Sequence, residues 1–198
     1  MGNTQDVTLR AWLKNQGLVL KDTGGDVQVI PLTNADQQTL FLKKEIDAAW
    51  TVEPWVSMLV LNAHGKIFFE ESTLWEGGDY ATALVVVRKK FLDEHPELVR
   101  KFLEAHKEIT DFLQKNPAEA KRLFLEEIEK ETQKKFPPGV VDQAFSRVRY
   151  TCDPLQKSVR QQAEMAFEAG FLKKRPDLTG LFDLKLLKEI SKGKCCSE

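Results

Sequence analysis

Three cysteines, Cys152, Cys195 and Cys196, are all that this chain of 198 residues contains, and two of them are adjacent. An odd, clustered set is a poor basis for a disulfide framework or a zinc site, so the thiols are expected to be inert. Charge of one sign is lacking too. Lys plus Arg number 29 against 30 for Asp plus Glu, which excludes attraction to nucleic acid or acidic membrane by a global field. No apolar run reaches the ~20 residues that would span a bilayer. Met1 leads straight into "GNTQDV", without the basic start and apolar core of a signal peptide, and Asp6 stands where a myristoylation motif at Gly2 would want Ser or Thr. There is no P-loop and no G-x-G-x-x-G, and "GGD" at 24–26 and 77–79 reads as turns. His64, His95 and His106 have no Ser or Cys partner pattern around them, so nucleophilic catalysis is not expected. The paired acids Glu70 and Glu71, and Glu126 and Glu127, read as solvated faces. Neither metal nor cofactor is expected.

What is present is a hydrophobic content of 42% and a charged content of 30%, enough for a soluble globular protein with a core of its own. "GNTQDVTLRAWLKNQGL" offers Asn3 and Thr4 as N-caps, apolar residues at helical spacing and Gly17 as a stop. "GGDVQVIPL" reads as a turn and a β-rich run, "NADQQTLFLKKEI" as a helix capped by Asn34, and "DAAWTV" as a short buried strand. In "EPWVSMLVLNAHG", Pro54 suits the first helical position and Gly65 the exit. "KIFFEE" and "YATALVVVR" read as strands, the second apolar enough to be buried on both sides. Strand alternating with helix predicts a mostly parallel sheet covered by helices over roughly the first 90 residues. From Pro96 the signals are helical. Leu98, Phe102, Ala105, Ile109 and Phe112 form one stripe, and Pro117, Pro137, Pro138 and Pro154 punctuate helix starts. A parallel α/β unit normally opens on a strand, whereas this sequence opens on a helix cap. Three regions are expected: an α/β lobe with its hinge strand at 1–90, a helical region at 91–192 and a disordered tail at 193–198.

Two places attract functional interest. The first-turn amides near Asn3, Thr4 and Gln5 and the positive end of the helix dipole favour an anion, with ordinary capping as the plain alternative. In open parallel sheets, ligands sit at the carboxyl ends of strands, which is where Thr51, Glu53 and Trp55 fall. Trp50 and Trp55 also suit simple packing.

"GNTQDVTLRAWLKNQGL", "GGDVQVIPLTNADQQTLFLKKEIDAAWTVEPW" and "GGDYATALVVVRKKFLDEHPELVRKFLEAH", in that order, resemble the solute-binding components of ABC transporters for nitrate, sulfonates, taurine and bicarbonate. That superfamily also contains thiamine-pyrimidine precursor proteins. The resemblance implies a two-lobed, periplasmic-binding-protein-like type II clamp of which this chain matches the later part, the first lobe being largely missing. It implies a small anionic solute bound without catalysis, an ABC membrane permease as partner, and a place outside the cytoplasmic membrane, although no signal peptide is legible. Asn3, Thr4, Gln5, Thr51, Glu53 and Trp55 correspond to the ligand wall of the second lobe. The chain departs from the pattern in having "GNTQ" at the cap, where Gly-Ser or Gly-Thr donors are common. It also has Lys44 where Gly is frequent. The other readings are a pyrimidine-precursor protein, which would want a Cys-rich cluster near the cleft, and a ligand-sensing module recruited through an exposed helical surface. A missing first lobe supplied by another chain is a further partner expectation.

Overall fold

A computed structural model describes residues 2–133, 135–192 and 195. Among them, nine α-helices follow in order: α1 (Thr4–Asn15), α2 (Asn34–Leu42), α3 (Trp55–Ala63), α4 (Lys89–Glu94), α5 (Pro96–Lys115), α6 (Pro117–Thr132), α7 (Val140–Arg147), α8 (Gln156–Glu168) and α9 (Lys185–Ser191). The expected parallel sheet is absent. The described residues contain one isolated parallel bridge, Leu20 to Val27, and no ladder. The α/β class read from the sequence is therefore wrong for this structure, which is mostly helical.

The reason lies in partners, not in local preference. The runs at 26–33, 48–52, 66–70 and 80–88 lie outside helices, and β-branched residues fill them, but a strand is stabilised by hydrogen bonds to a neighbour. Among the described residues the single bridge of Val27 to Leu20 is the one such pairing these runs make. Val85, Val86 and Val87, expected to be buried on both sides, are exposed, Val86 at 84%.

The helices obey their local signals more closely. Asn3 caps α1, accepting from the Asp6 N–H, and Thr33, one residue before the expected cap, does the same for α2. Pro96 and Pro117 open α5 and α6, where the missing N–H costs nothing. Short α4 and α9 were not legible. Helix α1 packs on α8, while α2, α3, α7, α6, α5 and α9 form a chain of neighbours. Ser158 and Gln162 of α8 hold the 80–81 segment, with Ser158 Oγ accepting from the Ala81 N–H at 3.0 Å and Gln162 Nε2 donating to its carbonyl at 2.9 Å. The core is thin, with Val7 and Leu13 from α1, Leu59 from α3, Val140 and Val141 from α7, and Trp75 buried. Gly25 is required by close approach: an added Cβ would collide with the Val19 carbonyl. Lys44, where the family resemblance favours Gly, adopts φ 59°, a left-handed conformation that a side chain takes at a cost of about 1 kcal/mol.

The cysteines also differ from expectation. Cys152, before α8, is joined to Cys195, beyond α9, with Cα atoms 5.4 Å apart and a sequence separation of 43. Neither adjacency nor an odd count reveals such a pairing. Cys196 and, apart from Cys195, the rest of the expected 193–198 tail lie outside the described residues. No helix among them is long and apolar enough to cross a membrane.

Candidate functional site

The first of the predicted clusters sits at the start of α1. Asn3 Oδ1 accepts from the Asp6 N–H at 3.0 Å, and the Val7 N–H donates to the Asn3 carbonyl at 3.1 Å. Asp6 Oδ2 accepts from the Gly2 N–H and Oδ1 from Arg10 Nε, each at 2.8 Å. Burial works against the Asp6 charge, yet the Gly2 N–H and the Arg10 guanidinium outweigh it and hold the carboxyl below its ordinary range. The amides of Thr4 and Gln5 are left without an acceptor among the described residues, at the positive end of a 12-residue helix. Asn3 is thus occupied as a cap, while Thr4 and Gln5 offer adjacent backbone donors.

The second cluster is at the start of α3. Glu53 precedes Pro54, and its Oε2 accepts from the Ser57 N–H at 3.2 Å, satisfying one of the first-turn amides. Its Oε1 accepts from Arg147 Nη1 at 3.0 Å, and the side chain is only 8% exposed. Arg147, at the end of α7, also donates through Nε to Glu70 Oε1 at 3.1 Å, and its Nη1 lies 3.4 Å from Ser57 Oγ. Two carboxylates around one guanidinium leave this corner net negative. Thr51 donates to Asn34 Oδ1 at 3.3 Å, tying the 48–52 run to α2, and Trp55 is the first, half-buried residue of α3. The structure therefore gathers Glu53 and Trp55 at one helix start and Asn3, Thr4 and Gln5 at another. Among the described residues no hydrogen bond, ion pair or ring contact joins the two sets.

Glu71, which the sequence reads as a solvated acid, has partners of its own. Glu71 Oε2 accepts from Trp50 Nε1 at 2.8 Å, and Thr8 and the Trp75 indole also approach the carboxyl. Trp50 belongs to an aromatic group with Trp12 and Phe69, its ring centroid 5.9 Å from the first and 5.3 Å from the second, while Trp12 and Phe69 stack at 5.2 Å. Trp75 stacks on Tyr80 at 5.2 Å and 10°. Burial pushes the Glu71 carboxyl above its ordinary 4.5 against the pull of these donors, and burial followed by the charges of Glu71 and Glu70 pushes Tyr80 up to about 12. A carboxyl raised in the folded state holds more protons there than in the unfolded chain. Its contribution therefore falls as pH rises above 4.5 toward the folded value. Glu71→Gln keeps an acceptor for Trp50 and is expected to flatten this part of the stability profile. Urea melts should show a gain at neutral pH that vanishes below pH 4.5; a gain of equal size at both pH values would contradict the assignment.

Among the described residues, an open cavity of about 340 Å³ lies beside Arg10, Leu20 and Val27, and another of about 360 Å³ between Trp75 and the start of α8. Neither is lined by a predicted site residue. Among the described residues no group of three or more His, Cys, Asp or Glu side chains is arranged to hold a metal.

The sequence pattern of the NMT1-like family matches residues 1–125. Over 174 residues, 85% of this chain and 50% of the other, the chain is 26% identical to a Bacillus subtilis (strain 168) protein named for aliphatic sulfonate binding. It thus spans about half the length of that relative. No solved structure matches it at a significant level. The superfamily resemblance carried by the three quoted segments holds.

Proposed function

The chain belongs to the NMT1-like family, and from that premise we propose that it binds a small solute without chemically transforming it, as part of an ABC import system. The observation that carries the ligand class is the pair of unpartnered amides at Thr4 and Gln5 on the positive end of α1, which suits a compact oxyanion. An aliphatic sulfonate is the preferred ligand, by analogy with the relative's name; nitrate and bicarbonate are oxyanions like it, and taurine is a sulfonate that also carries an ammonium group. The partner in transport is an ABC membrane permease, and the location is outside the cytoplasmic membrane. The Cys152–Cys195 disulfide supports an oxidising compartment.

Thermal unfolding tests this reading, because a ligand that binds only the folded state raises the melting temperature. Ethanesulfonate is expected to produce a saturable rise, and chloride at equal ionic strength none. Thr4→Pro removes one amide donor at a position where proline suits a helix, and the extended Asn3 backbone (φ −74°, ψ 172°) tolerates a following proline. That variant should melt within about 0.5 kcal/mol of the parent, the scatter of neutral surface changes, and should lose most of the sulfonate shift. A cooperative melt unmoved by every oxyanion would reject the proposal.

A further inference from the structure

Both cysteines of the Cys152–Cys195 disulfide are half-buried, so a reductant can reach the bond, and its two ends belong to different parts of the fold. Cys152 lies in the lead-in to α8. Gln114 of α5 fixes that stretch by donating through Nε2 to the Tyr150 carbonyl at 2.6 Å, and Arg149 ties it to Asp79 through both carboxylate oxygens. Cys195 follows α9. The bond therefore fastens the far end of α9 to a segment that is already anchored.

Helix α9 needs the fastening. Seven residues are too few for a helix to persist by its own hydrogen bonds. It follows a connection, 169–184, that contains no helix or strand. It packs on α5, with Leu187 buried, and Glu189 Oε2 accepts from Arg100 Nη2 at 2.6 Å. Both members of that ion pair are part-exposed, and such pairs contribute little. A short helix at the end of an irregular connection belongs to the part of a fold that opens first. The disulfide changes what opening gains. With the bond closed, an α9 that leaves α5 stays inside a loop joined across a sequence separation of 43; with the bond broken it gains the full freedom of the connection.

We propose that the Cys152–Cys195 disulfide is a redox-controlled latch and α9 the strap it secures. Oxidised, the strap is held on α5; reduced, it detaches while the other helices stay in place. A dithiol opens the latch. Its thiolate attacks one sulfur of the bond and expels the other cysteine, and its second thiol then expels the first cysteine from the mixed disulfide. Two electrons and two protons reach the protein, and the dithiol leaves as a disulfide. The strap is thus closed in an oxidising compartment and open in a reducing one.

Hydrogen exchange read by mass tests it, on the whole chain carrying Cys196→Ser so that the two cysteines of the bond are the only ones. The oxidised chain is compared with the same chain kept in dithiothreitol. Reduction should speed exchange in α9 by about tenfold or more relative to α7, less than closing a loop of this length usually contributes because α8 stays folded within it. Trypsin should show the same difference at Lys185 and Lys188 under native conditions. Cys152→Ser, which cannot latch, should behave as the reduced chain with no dithiothreitol present, and reoxidation of the starting chain should restore slow exchange. Equal acceleration in α7 and α9 would make the bond a brace for the whole fold and overturn the proposal. So would an α9 that reduction leaves unchanged, or an intact mass showing both thiols free in the oxidised material. No solute enters the experiment, so its failure and that of the sulfonate reading are separate results.

Discussion

Trp75→Ala is expected to cost about 3–5 kcal/mol, the range for removing a large buried aromatic. Trp75 is 5% exposed, stacks on Tyr80 and approaches the half-buried Glu71 carboxyl. It also stands at the hinge of two parts of the fold, because Tyr80 precedes Ala81, whose N–H and carbonyl are both held by α8. Losing the indole therefore leaves a void where α8, the Glu71 turn and the aromatic group around Trp50 meet. Urea unfolding should show a lower midpoint with an unchanged slope, the signature of lost stability in an intact two-state fold. A cost below about 1 kcal/mol, ordinary for a point change, would mean that this core is not the one holding α8 in place.

The second large effect is at Glu53. Its carboxylate is almost fully covered, caps the first turn of α3 through the Ser57 N–H and pairs with Arg147 of α7. Removing one member of a buried pair typically costs about 3–5 kcal/mol because the other charge is stranded. Arg147 retains 26% exposure and a second carboxylate in Glu70, so the expected cost of Glu53→Ala is reduced to about 2–3 kcal/mol by screening. The double-mutant cycle with Arg147→Ala should return a coupling of about 1–2 kcal/mol, within the range for directly bonded neighbours. Strict additivity of the two variants would show that Glu53 acts through the cap alone.

How much was legible in the sequence follows the range of each interaction. Helices α1, α5 and α6 were visible because cap, proline and apolar period lie within a few residues of one another. Six-residue α4 and seven-residue α9 are too short for periodicity to register. "ALVVV" was read as a buried strand because its β-branched residues announce a preference, and the missing neighbour that would honour it lies nowhere in the local sequence. Long-range partners account for the other misreadings. Glu71 reads as solvent-facing because its donor Trp50 is 21 residues away, and nothing local ties Glu53 to Arg147, 94 residues on. The helix start at Asn3, Thr4 and Gln5 is legible because a cap is a local feature, and the same locality explains why the sequence does not show that these residues stand apart from Glu53 and Trp55.

The proposal that this chain is a solute-binding protein for a small oxyanion is tested most directly at the two amides on which it rests. In an amide nitrogen–proton correlation spectrum titrated with ethanesulfonate, the Thr4 and Gln5 signals should move together along one saturable curve, with the largest shifts in the protein. Shifts that never saturate, or that centre on other residues while Thr4 and Gln5 stay in place, would contradict the account.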